Sequence, residues 1–176
     1  MTGVSTNAFA TLGLEPKFGY AREELERRHK ELSKALHPDR YVSAPAAERR
    51  MALSRAIEVN EAFRRLKDPV KRAEEVLRVA GVAVGETAEP KAAPDLLMEM
   101  MESREALADA ARKRDTATIA KLGGEMTARE ERLLGKLGGI LDGDGSKDAA
   151  LPILGELRYT RRFLDEVAAQ EEALLG

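Results

Sequence analysis

The tetrapeptide His37-Pro38-Asp39-Arg40 lies between two segments whose apolar residues recur at helical spacing, and it decides the fold. Pro38 lacks an N–H group, fixes its own φ angle and disfavours the α conformation at the preceding residue, so a helix should end near His37. The four residues are therefore predicted to form the exposed turn of a helical hairpin. The apolar stripe before the turn comprises Leu25, Leu32 and Leu36, and the stripe after it comprises Ala52, Ala56, Val59, Phe63 and Leu66.

The composition excludes several kinds of chemistry. The chain has 176 residues and no Cys, which removes thiol catalysis, disulfides, Cys-ligated zinc and any iron–sulfur cluster held by its own thiolates. The only histidines, His29 and His37, lie eight residues apart with no carboxylate cluster around them. This argues against a metal site and against a histidine-based catalytic triad. We therefore expect no catalytic residues, no metal, no cofactor and no enzymatic activity.

Charge and hydropathy bear on location and partners. Residues 1–7 are too short and polar for a signal peptide, and no window approaches the ~18 consecutive apolar residues of a membrane span. A soluble cytoplasmic protein is expected. Residues 1–94 carry 17 Lys+Arg and 14 Asp+Glu, and residues 95–176 carry 12 and 17, which gives net charges of +3 and −5. Neither part is basic enough to indicate nucleic-acid binding.

The first part of the chain is predicted to hold four helices. A short helix around Phe9 to Leu12 is capped by Ser5, Thr6 or Asn7 and ended by Gly13, and a second runs from about 21 to 36. The third spans roughly 45–66, and a fourth begins at Asp68-Pro69 and ends near Gly81. His29 falls in the stripe of the second helix, where a partly buried ring is expected.

The second part is predicted to be a three-helix bundle after a linker at 82–94. Its first helix, from Asp95, has two faces when its residues are placed 100° apart. The core face comprises Leu96, Met100, Leu107, Ala110 and Ala111. The other face mixes apolar and acidic residues, which suggests an adaptable binding surface, although Leu97 and Met101 could instead widen the core stripe. That face comprises Leu97, Met98, Met101, Glu102, Glu105 and Asp109.

The two remaining helices are less regular in sequence. Ile119, Leu122, Met126, Leu133 and Leu137 mark the first of them, and Gly123-Gly124 predicts a kink or fraying within it. The loop 142–146 resembles the start of a calcium loop, but Lys147 and Ile153 stand where such a loop needs Gly and Glu, so a plain turn is expected. In the last helix, about 149–174, Phe163 lies more than 90° from the predicted stripe, as a second-layer packing residue or a binding anchor. That stripe comprises Leu154, Leu157, Leu164, Ala168 and Leu175.

Three passages make the chain similar to a known family, the HscB-type J-domain co-chaperones of iron–sulfur cluster assembly. The resemblance covers the chain from Phe9 to about Leu175. The first passage follows the His-Pro-Asp turn, the second begins the C-terminal part, and the third lies near the end. They are Val59-Asn60-Glu61-Ala62-Phe63 with Leu66, Asp68-Pro69, Arg72-Ala73-Glu74 and Leu77; Leu97-Met98-Glu99 with Met101-Glu102, Arg104-Glu105 and Leu107; and Leu157-Arg158 with Arg162-Phe163-Leu164-Asp165.

The resemblance implies an all-α, L-shaped protein with a J-domain at 1–81, a linker at 82–94 and a C-terminal three-helix domain at 95–176. It implies that the J-domain stimulates the ATPase of a DnaK/HscA-class chaperone, and that the C-terminal domain binds a cluster scaffold protein of the IscU type and delivers it. The implied chaperone-binding residues are His37, Pro38, Asp39, Arg40, Arg27, Arg28, Lys30 and Lys34. The implied scaffold-binding residues are Leu97, Met98, Met101, Glu102, Glu105, Asp109 and Phe163.

Two kinds of alternative remain at this stage. One is a general J-domain co-chaperone that delivers unfolded clients, although the chain lacks the Gly/Phe-rich segment or Cys-rich repeats expected of it. The other is a structural helical adaptor with an accidental His-Pro-Asp turn, or an enzyme that uses His37 and Asp39. The hypothesis of an enzyme has little support, because the sequence has no cleft-forming glycine loop and no second catalytic cluster.

Overall fold

A computed structural model describes residues 7–85 and 90–175. All regular elements in these ranges are helical, which confirms the predicted all-α class, and the contacts divide the chain into two compact units, Met1–Ala83 and Val84–Gly176. None of the described helices combines the length and the apolar character that crossing a membrane requires. The helices are α1 Ala8–Leu12, α2 Arg22–Ala35, α3 Ala46–Lys67, α4 Pro69–Val79, α5 Pro94–Arg112, α6 Thr116–Leu141 and α7 Ala150–Leu175, with 3₁₀ turns at Pro38–Tyr41 and Lys147–Ala149.

The first unit packs α1, α2 and α4 against the long helix α3. Leu25 of α2 is fully buried, whereas Leu32 and Leu36 are only half buried, so the hairpin becomes more open toward its turn. Phe63 of α3 is also half buried. The predicted stripes therefore face the core, and that of α2 is covered best away from the turn. The large buried side chains of this unit are Phe9, Leu12, Phe18, Leu25, Val59, Leu66, Val76 and Leu77.

Local capping signals place the ends of α1 and α4. Asn7 accepts a hydrogen bond from the Ala10 N–H at 2.8 Å, and Asp68 accepts one from the Lys71 N–H at 3.0 Å, as expected of N-cap residues. The other predicted caps of α1, Ser5 and Thr6, lie outside the described residues. Gly13 ends α1 with a φ of 64°, a left-handed conformation that glycine adopts without a Cβ clash.

A buried carboxylate joins α1 to the rest of the first unit. The Ala8 N–H donates to Glu75 Oε1 at 2.8 Å, and Arg65 and Arg78 donate to Oε2 at 3.1 and 3.2 Å. Burial raises the pKa of Glu75, but the Ala8 N–H and the two guanidinium groups lower it by more, so its pKa lies below that of an ordinary glutamate. Glu75 therefore stays ionised and satisfies a backbone donor that α1 cannot satisfy itself.

The second unit is a three-helix bundle in which α6 and α7 pair along their lengths and α5 packs on both. The predicted core face of α5 and the predicted stripe of α6 are confirmed, because Met100, Leu107 and Ala110 are buried together with Ile119 and Met126. α5 begins at Pro94, a residue that suits the first helical position. The linker predicted at 82–94 includes residues 86–89, which lie outside the described residues, and its limits stay a prediction.

The two glycine-rich segments of the second unit differ in conformation, because the first is helical and the second is a turn. The fraying predicted at Gly123-Gly124 is wrong, because α6 continues without a break through both residues. A Cβ on Gly123 would lie 3.1 Å from Val167 Cγ1, so the missing side chain lets α7 approach α6 closely, and that packing offsets the low helix propensity. The loop 142–146 is a turn followed by a 3₁₀ turn, and the Lys147 ammonium donates to the Gly143 carbonyl at 3.0 Å.

Candidate functional site

The His37-to-Arg40 turn is exposed and held by bonds within itself. His37 has an extended backbone, with φ −62° and ψ 134°, as the following proline predicts. The Asp39 N–H donates to His37 Nδ1 at 3.3 Å, and the Arg40 N–H donates to the His37 carbonyl at 3.0 Å. The side chains of His37 and Asp39 are 58% and 86% exposed. The turn therefore presents an imidazole and a carboxylate to solvent from a short, ordered backbone.

Tyr41 connects the turn to α2, which the sequence analysis did not foresee. Its hydroxyl donates to the Ala35 carbonyl at 3.3 Å, at the C-terminal end of α2 where carbonyl groups lack helical partners. An aromatic residue directly after the tetrapeptide was the only signal in the sequence. The contact limits the movement of the turn relative to α2.

The cationic side chains of α2 predicted to bind the chaperone differ in their direction and in their contacts. Arg27, Lys30 and Lys34 fall within about 60° of one another on α2. Arg27 pairs with Glu31 at 3.0 Å, whereas Lys30 and Lys34 are exposed and make no ion pair within the described part of the chain. These three side chains form a cationic row that leads along α2 toward the turn.

Arg28 points toward α1 instead. Its Nε donates to the Leu12 carbonyl at 2.6 Å, and its guanidinium lies so close to Gly13 that a Cβ there would be 2.5 Å from Nη2. A second contact, to Glu31 at 3.3 Å, lowers the pKa of that glutamate together with Arg27. Arg28 therefore caps the C-terminal end of α1, a structural role that its position in a charged helix did not reveal.

His29 is half buried, as predicted. Its ring stacks on Phe63 with centroids 4.2 Å apart, and Nε2 lies 2.8 Å from Asn60 Oδ1. The ring thus fills the gap between α2 and α3 and does not contribute to the exposed turn.

Six predicted residues of α5 lie on one exposed surface, here called the α5 face: Leu97, Met98, Met101, Glu102, Glu105 and Asp109. Leu97, Met98 and Met101 are 41%, 62% and 65% exposed, so they do not widen the core stripe. Asp109 pairs with Arg112 on the same helix. The structure therefore brings three apolar side chains and three carboxylates together on one helix, with the apolar residues nearer its N-terminus.

Phe163 does not belong to this surface, which corrects its predicted position outside the core. It is 0% exposed and packs in the core with Met100, Ile119 and Val167, whereas Ala168 and Leu175 of the predicted stripe are exposed. The error arises because the buried residues from Leu154 to Phe163 recur every three residues, so the buried side rotates round the helix and a single stripe does not follow it. Residues buried along α7 are Ala150, Leu154, Leu157, Thr160, Phe163 and Val167.

Interhelical ion pairs fix the position of α5, the helix that carries the α5 face, relative to α6 and α7. Arg129 of α6 pairs with Glu99 of α5 at 2.5 Å and with Glu156 of α7 at 2.8 Å, and its side chain is only 17% exposed. Burial lowers the pKa of Arg129, but the two carboxylates raise it by more, so the guanidinium stays charged. Arg104 of α5 makes a bidentate pair with Glu166 of α7, with contacts of 2.9 and 2.8 Å. No spacing in the sequence indicates these pairs, because their members are 27 to 62 residues apart.

The chemistry of these sites is that of binding surfaces. Within residues 7–85 and 90–175, no three His, Asp or Glu side chains are grouped so that they could hold a metal ion. The turn offers hydrogen-bonding and charged groups, and the α5 face offers flexible apolar groups beside carboxylates. Both can contact a protein partner without local unfolding.

Comparisons with known proteins agree over nearly the whole chain. A family model described as the HSCB C-terminal oligomerisation domain matches residues 92–168. The co-chaperone protein HscB homolog of Burkholderia multivorans is 33% identical over 174 residues, 99% of each chain, and that of Paraburkholderia phymatum is 32% identical over the same length. The solved structure of chaperone HscB from Vibrio cholerae is 30% identical, covers 96% of this chain and 99% of its own, and has a TM-score of 0.83. Human co-chaperone protein HscB, 20% identical over 96% of this chain and 84% of its own with a TM-score of 0.84, shares the fold.

Proposed function

The chain belongs to the HscB family of co-chaperones, and from this we propose that it links a DnaK/HscA-class chaperone to an iron–sulfur cluster scaffold protein of the IscU type. The first unit stimulates ATP hydrolysis by the chaperone, and the second unit delivers the scaffold. The observation that carries the proposal is that the two units expose candidate surfaces of different chemistry. These are the turn on the first unit and the α5 face on the second.

At the turn, Asp39 is the group best suited to bind the chaperone. Its carboxylate is 86% exposed and held near His37, so it can accept a charge-assisted, bidentate hydrogen bond from an arginine of the partner. Pro38 and the bond from the Asp39 N–H to His37 restrict the backbone beforehand. Little conformational entropy is then lost when the turn binds.

The cationic row on α2 has a different part in the same encounter. Lys30 and Lys34 are exposed charges without an intramolecular ion pair in the described chain, so their field extends into solvent. Such a row accelerates association with an acidic surface, more strongly at low ionic strength. Arg27 adds to it with a charge that Glu31 partly compensates.

On the second unit, Leu97, Met98 and Met101 supply the apolar contact with the scaffold protein. Methionine side chains are flexible and polarizable, so they adapt to a partner surface at small steric cost. Glu102 and Glu105 lie beside them and orient a partner that carries cations at matching positions. Phe163, which the family resemblance assigned to this surface, supports it only from within the core.

The chain itself performs no covalent step in this proposal. ATP is hydrolysed on the chaperone, and a chain without Cys leaves the cluster with the scaffold protein. The co-chaperone brings the two partners together and promotes hydrolysis through contacts alone.

The test uses one variant on each unit. His37→Gln should abolish stimulation of the ATPase of an HscA-class chaperone and leave scaffold affinity unchanged by calorimetry. The double variant Leu97→Ala/Met101→Ala should lower scaffold affinity and leave the stimulation seen without scaffold unchanged. Each variant is the control for the other.

Three results would contradict the proposal. Full stimulation by His37→Gln would remove the turn from the mechanism. Unchanged scaffold affinity in Leu97→Ala/Met101→Ala would remove the α5 face. Tight binding of a chemically unfolded protein, with no binding of a cluster scaffold, would favour a general co-chaperone for unfolded clients.

A further inference from the structure

Five methionines lie in the part of the chain that the structure describes, and they divide into a buried and an exposed group. Met100 and Met126 are buried in the core of the second unit, with exposures of 1% and 6%. Met51 on α3 is 68% exposed, and Met98 and Met101 of the α5 face are nearly as exposed. A reagent in solution therefore reaches the side chains of the exposed group, whereas the folded bundle covers the other two.

Met98 and Met101 lie side by side on the α5 face. They are three residues apart on one helix, and Leu97 precedes Met101 by four residues, so the three side chains form one apolar patch. Glu102 and Glu105 each follow one of these methionines by four residues and therefore border the same patch. The anionic border repels anionic oxidants, whereas an uncharged oxidant such as hydrogen peroxide approaches the two thioethers without such repulsion.

Hydrogen peroxide converts a thioether into a sulfoxide by transfer of one oxygen atom. A lone pair of the methionine sulfur attacks one peroxide oxygen, so that an S–O bond forms and the O–O bond breaks. The sulfur loses two electrons and the peroxide gains them. The proton of the transferred oxygen moves to the departing oxygen, which leaves as water. Because the peroxide supplies the oxygen and accepts the electrons, access to the side chain decides which methionine reacts.

The sulfoxide changes the chemistry of the α5 face and leaves the core intact. It is a polar, chiral group in place of a flexible apolar one. Its oxygen accepts hydrogen bonds, as the carboxylates of Glu102 and Glu105 do, so these two neighbours cannot satisfy it and water does. A partner that covers the sulfoxide with apolar groups has to remove that water without a replacement. Binding through the patch is therefore weakened.

We propose that Met98 and Met101 are a peroxide-sensitive modification site, and that their oxidation releases the scaffold protein from the α5 face while the first unit still stimulates the chaperone. This inference rests on the proposed function. The modification is reversible, because methionine sulfoxide reductases return each epimer of the sulfoxide to the thioether. The chain thus loses and regains its scaffold-binding surface with the same fold.

The first test follows the order of oxidation in the chain alone. The protein is treated with hydrogen peroxide at neutral pH and digested, and fragment spectra assign the added oxygen to individual methionines. Met98 and Met101 should be oxidised several times faster than Met100, which lies between them in sequence but is buried. Oxidation of Met100 at the same rate as its two neighbours would overturn the inference, whether or not a scaffold protein binds.

The second test measures binding after the peroxide has been removed. Calorimetry with an untreated cluster scaffold protein should show affinity reduced by roughly tenfold for the oxidised chain. Incubation with sulfoxide reductases for both epimers should restore the affinity of the unoxidised chain. Circular dichroism verifies that the oxidised chain keeps its helices.

Two variants assign the effect to the α5 face. Met98→Leu/Met101→Leu keeps apolar side chains of similar volume and removes both thioethers, so its affinity, whatever its value, should be the same before and after peroxide. Met51→Leu removes the exposed methionine of the first unit and should lose affinity on oxidation as the unchanged chain does. In this second variant, ATPase stimulation without scaffold should be equal before and after peroxide.

The outcomes separate this inference from the proposed function. If the untreated chain binds the scaffold and binds it equally well after Met98 and Met101 have been oxidised, only the inference fails. A loss of affinity on oxidation of Met98→Leu/Met101→Leu as large as in the unchanged chain would also overturn it, because the sensitive group would lie elsewhere. If the untreated chain does not bind the scaffold, the proposed function fails and the inference fails with it.

Discussion

The turn presents its candidate binding groups on four consecutive residues, whereas the α5 face collects six residues from thirteen positions of one helix. The turn is held by bonds among its own residues and by Tyr41. The α5 face is held from behind, by Phe163 in the core and by Arg129 and Arg104, which pair with other helices. Substitutions on other helices of the second unit are therefore expected to disturb the α5 face, whereas the turn should be insensitive to substitutions far from it in the chain.

The largest effect is expected in the core of the second unit. Phe163→Ala removes a fully buried ring and should lower the free energy of unfolding by about 3–5 kcal/mol, whereas Leu97→Ala, at a position 41% exposed, should cost less than about 1 kcal/mol. Urea unfolding followed by circular dichroism measures both. A small effect of Phe163→Ala would contradict the core position of Phe163 and the difference expected between it and Leu97.

Removal of the interhelical ion pairs should weaken the α5 face and spare the turn. Arg129→Met eliminates the contacts to Glu99 and Glu156 and should cost about 1–2 kcal/mol of stability, because these carboxylates are partly exposed and regain water. Calorimetry should show weaker scaffold binding, and ATPase stimulation without scaffold should not change. Lys136→Met, an exposed site on the same helix, is the control.

In the first unit, stability should depend on pH through Glu75. Its pKa is lowered in the folded protein, so its contribution is present above the unfolded value of about 4.3 and is lost as the pH falls through the folded pKa. Glu75→Gln should lower the free energy of unfolding by about 1–2 kcal/mol at neutral pH and make it depend less on pH in the acid range. Hydrogen exchange of the α1 amides between pH 6 and about pH 3 measures this change in stability. Equal acid dependence in both proteins would contradict the assignment.

The cationic row should affect the rate of chaperone binding more than its strength. Lys30→Gln/Lys34→Gln should slow association roughly threefold to tenfold at low salt, and the difference should disappear at high salt. Stopped-flow kinetics measures the rates. Arg22→Gln, whose side chain is already paired with Glu26 at 2.7 Å, should change them less. A salt-independent loss would place the lysines in the bound interface.

The smallest effect concerns the glycines of α6. Gly124→Ala meets open space and should stabilise the second unit by about 0.5–1 kcal/mol, the usual gain in a helix interior. Gly123→Ala should gain less or lose stability, because its Cβ would lie 3.1 Å from Val167 Cγ1. Thermal unfolding compares the two. Equal gains would show that α7 yields easily at this point.

Features of the fold could be predicted from the sequence where a few neighbouring residues determine the conformation. Asp68-Pro69 and Gly13 predicted helix ends because their capping chemistry is local, and Pro38 predicted the extended backbone of His37. The α5 residues were also placed correctly, since the buried residues of α5 keep to one arc of the helix and the helical angle alone separates them from the exposed ones. The roles of these residues in binding stay predictions.

Other features could not be predicted, because the environment of the residue depends on helices far away in the chain. Phe163 lies on a helix whose buried side rotates along its length to follow its neighbours, so one apolar stripe could not describe that side. Arg129 and its partners belong to three different helices, and no spacing rule joins them. The glycine at 123 looked disruptive because its contact with Val167 cannot be read from α6 alone.

The attachment of α5 through Arg129 also has a thermodynamic consequence. Since α5 is already joined to α6 and α7, association with a partner does not have to order its backbone. The conformational entropy that this chain loses on binding should then come mainly from the side chains of Met98 and Met101. The heat-capacity change should accordingly follow the apolar area of three side chains and lack the larger contribution of coupled folding.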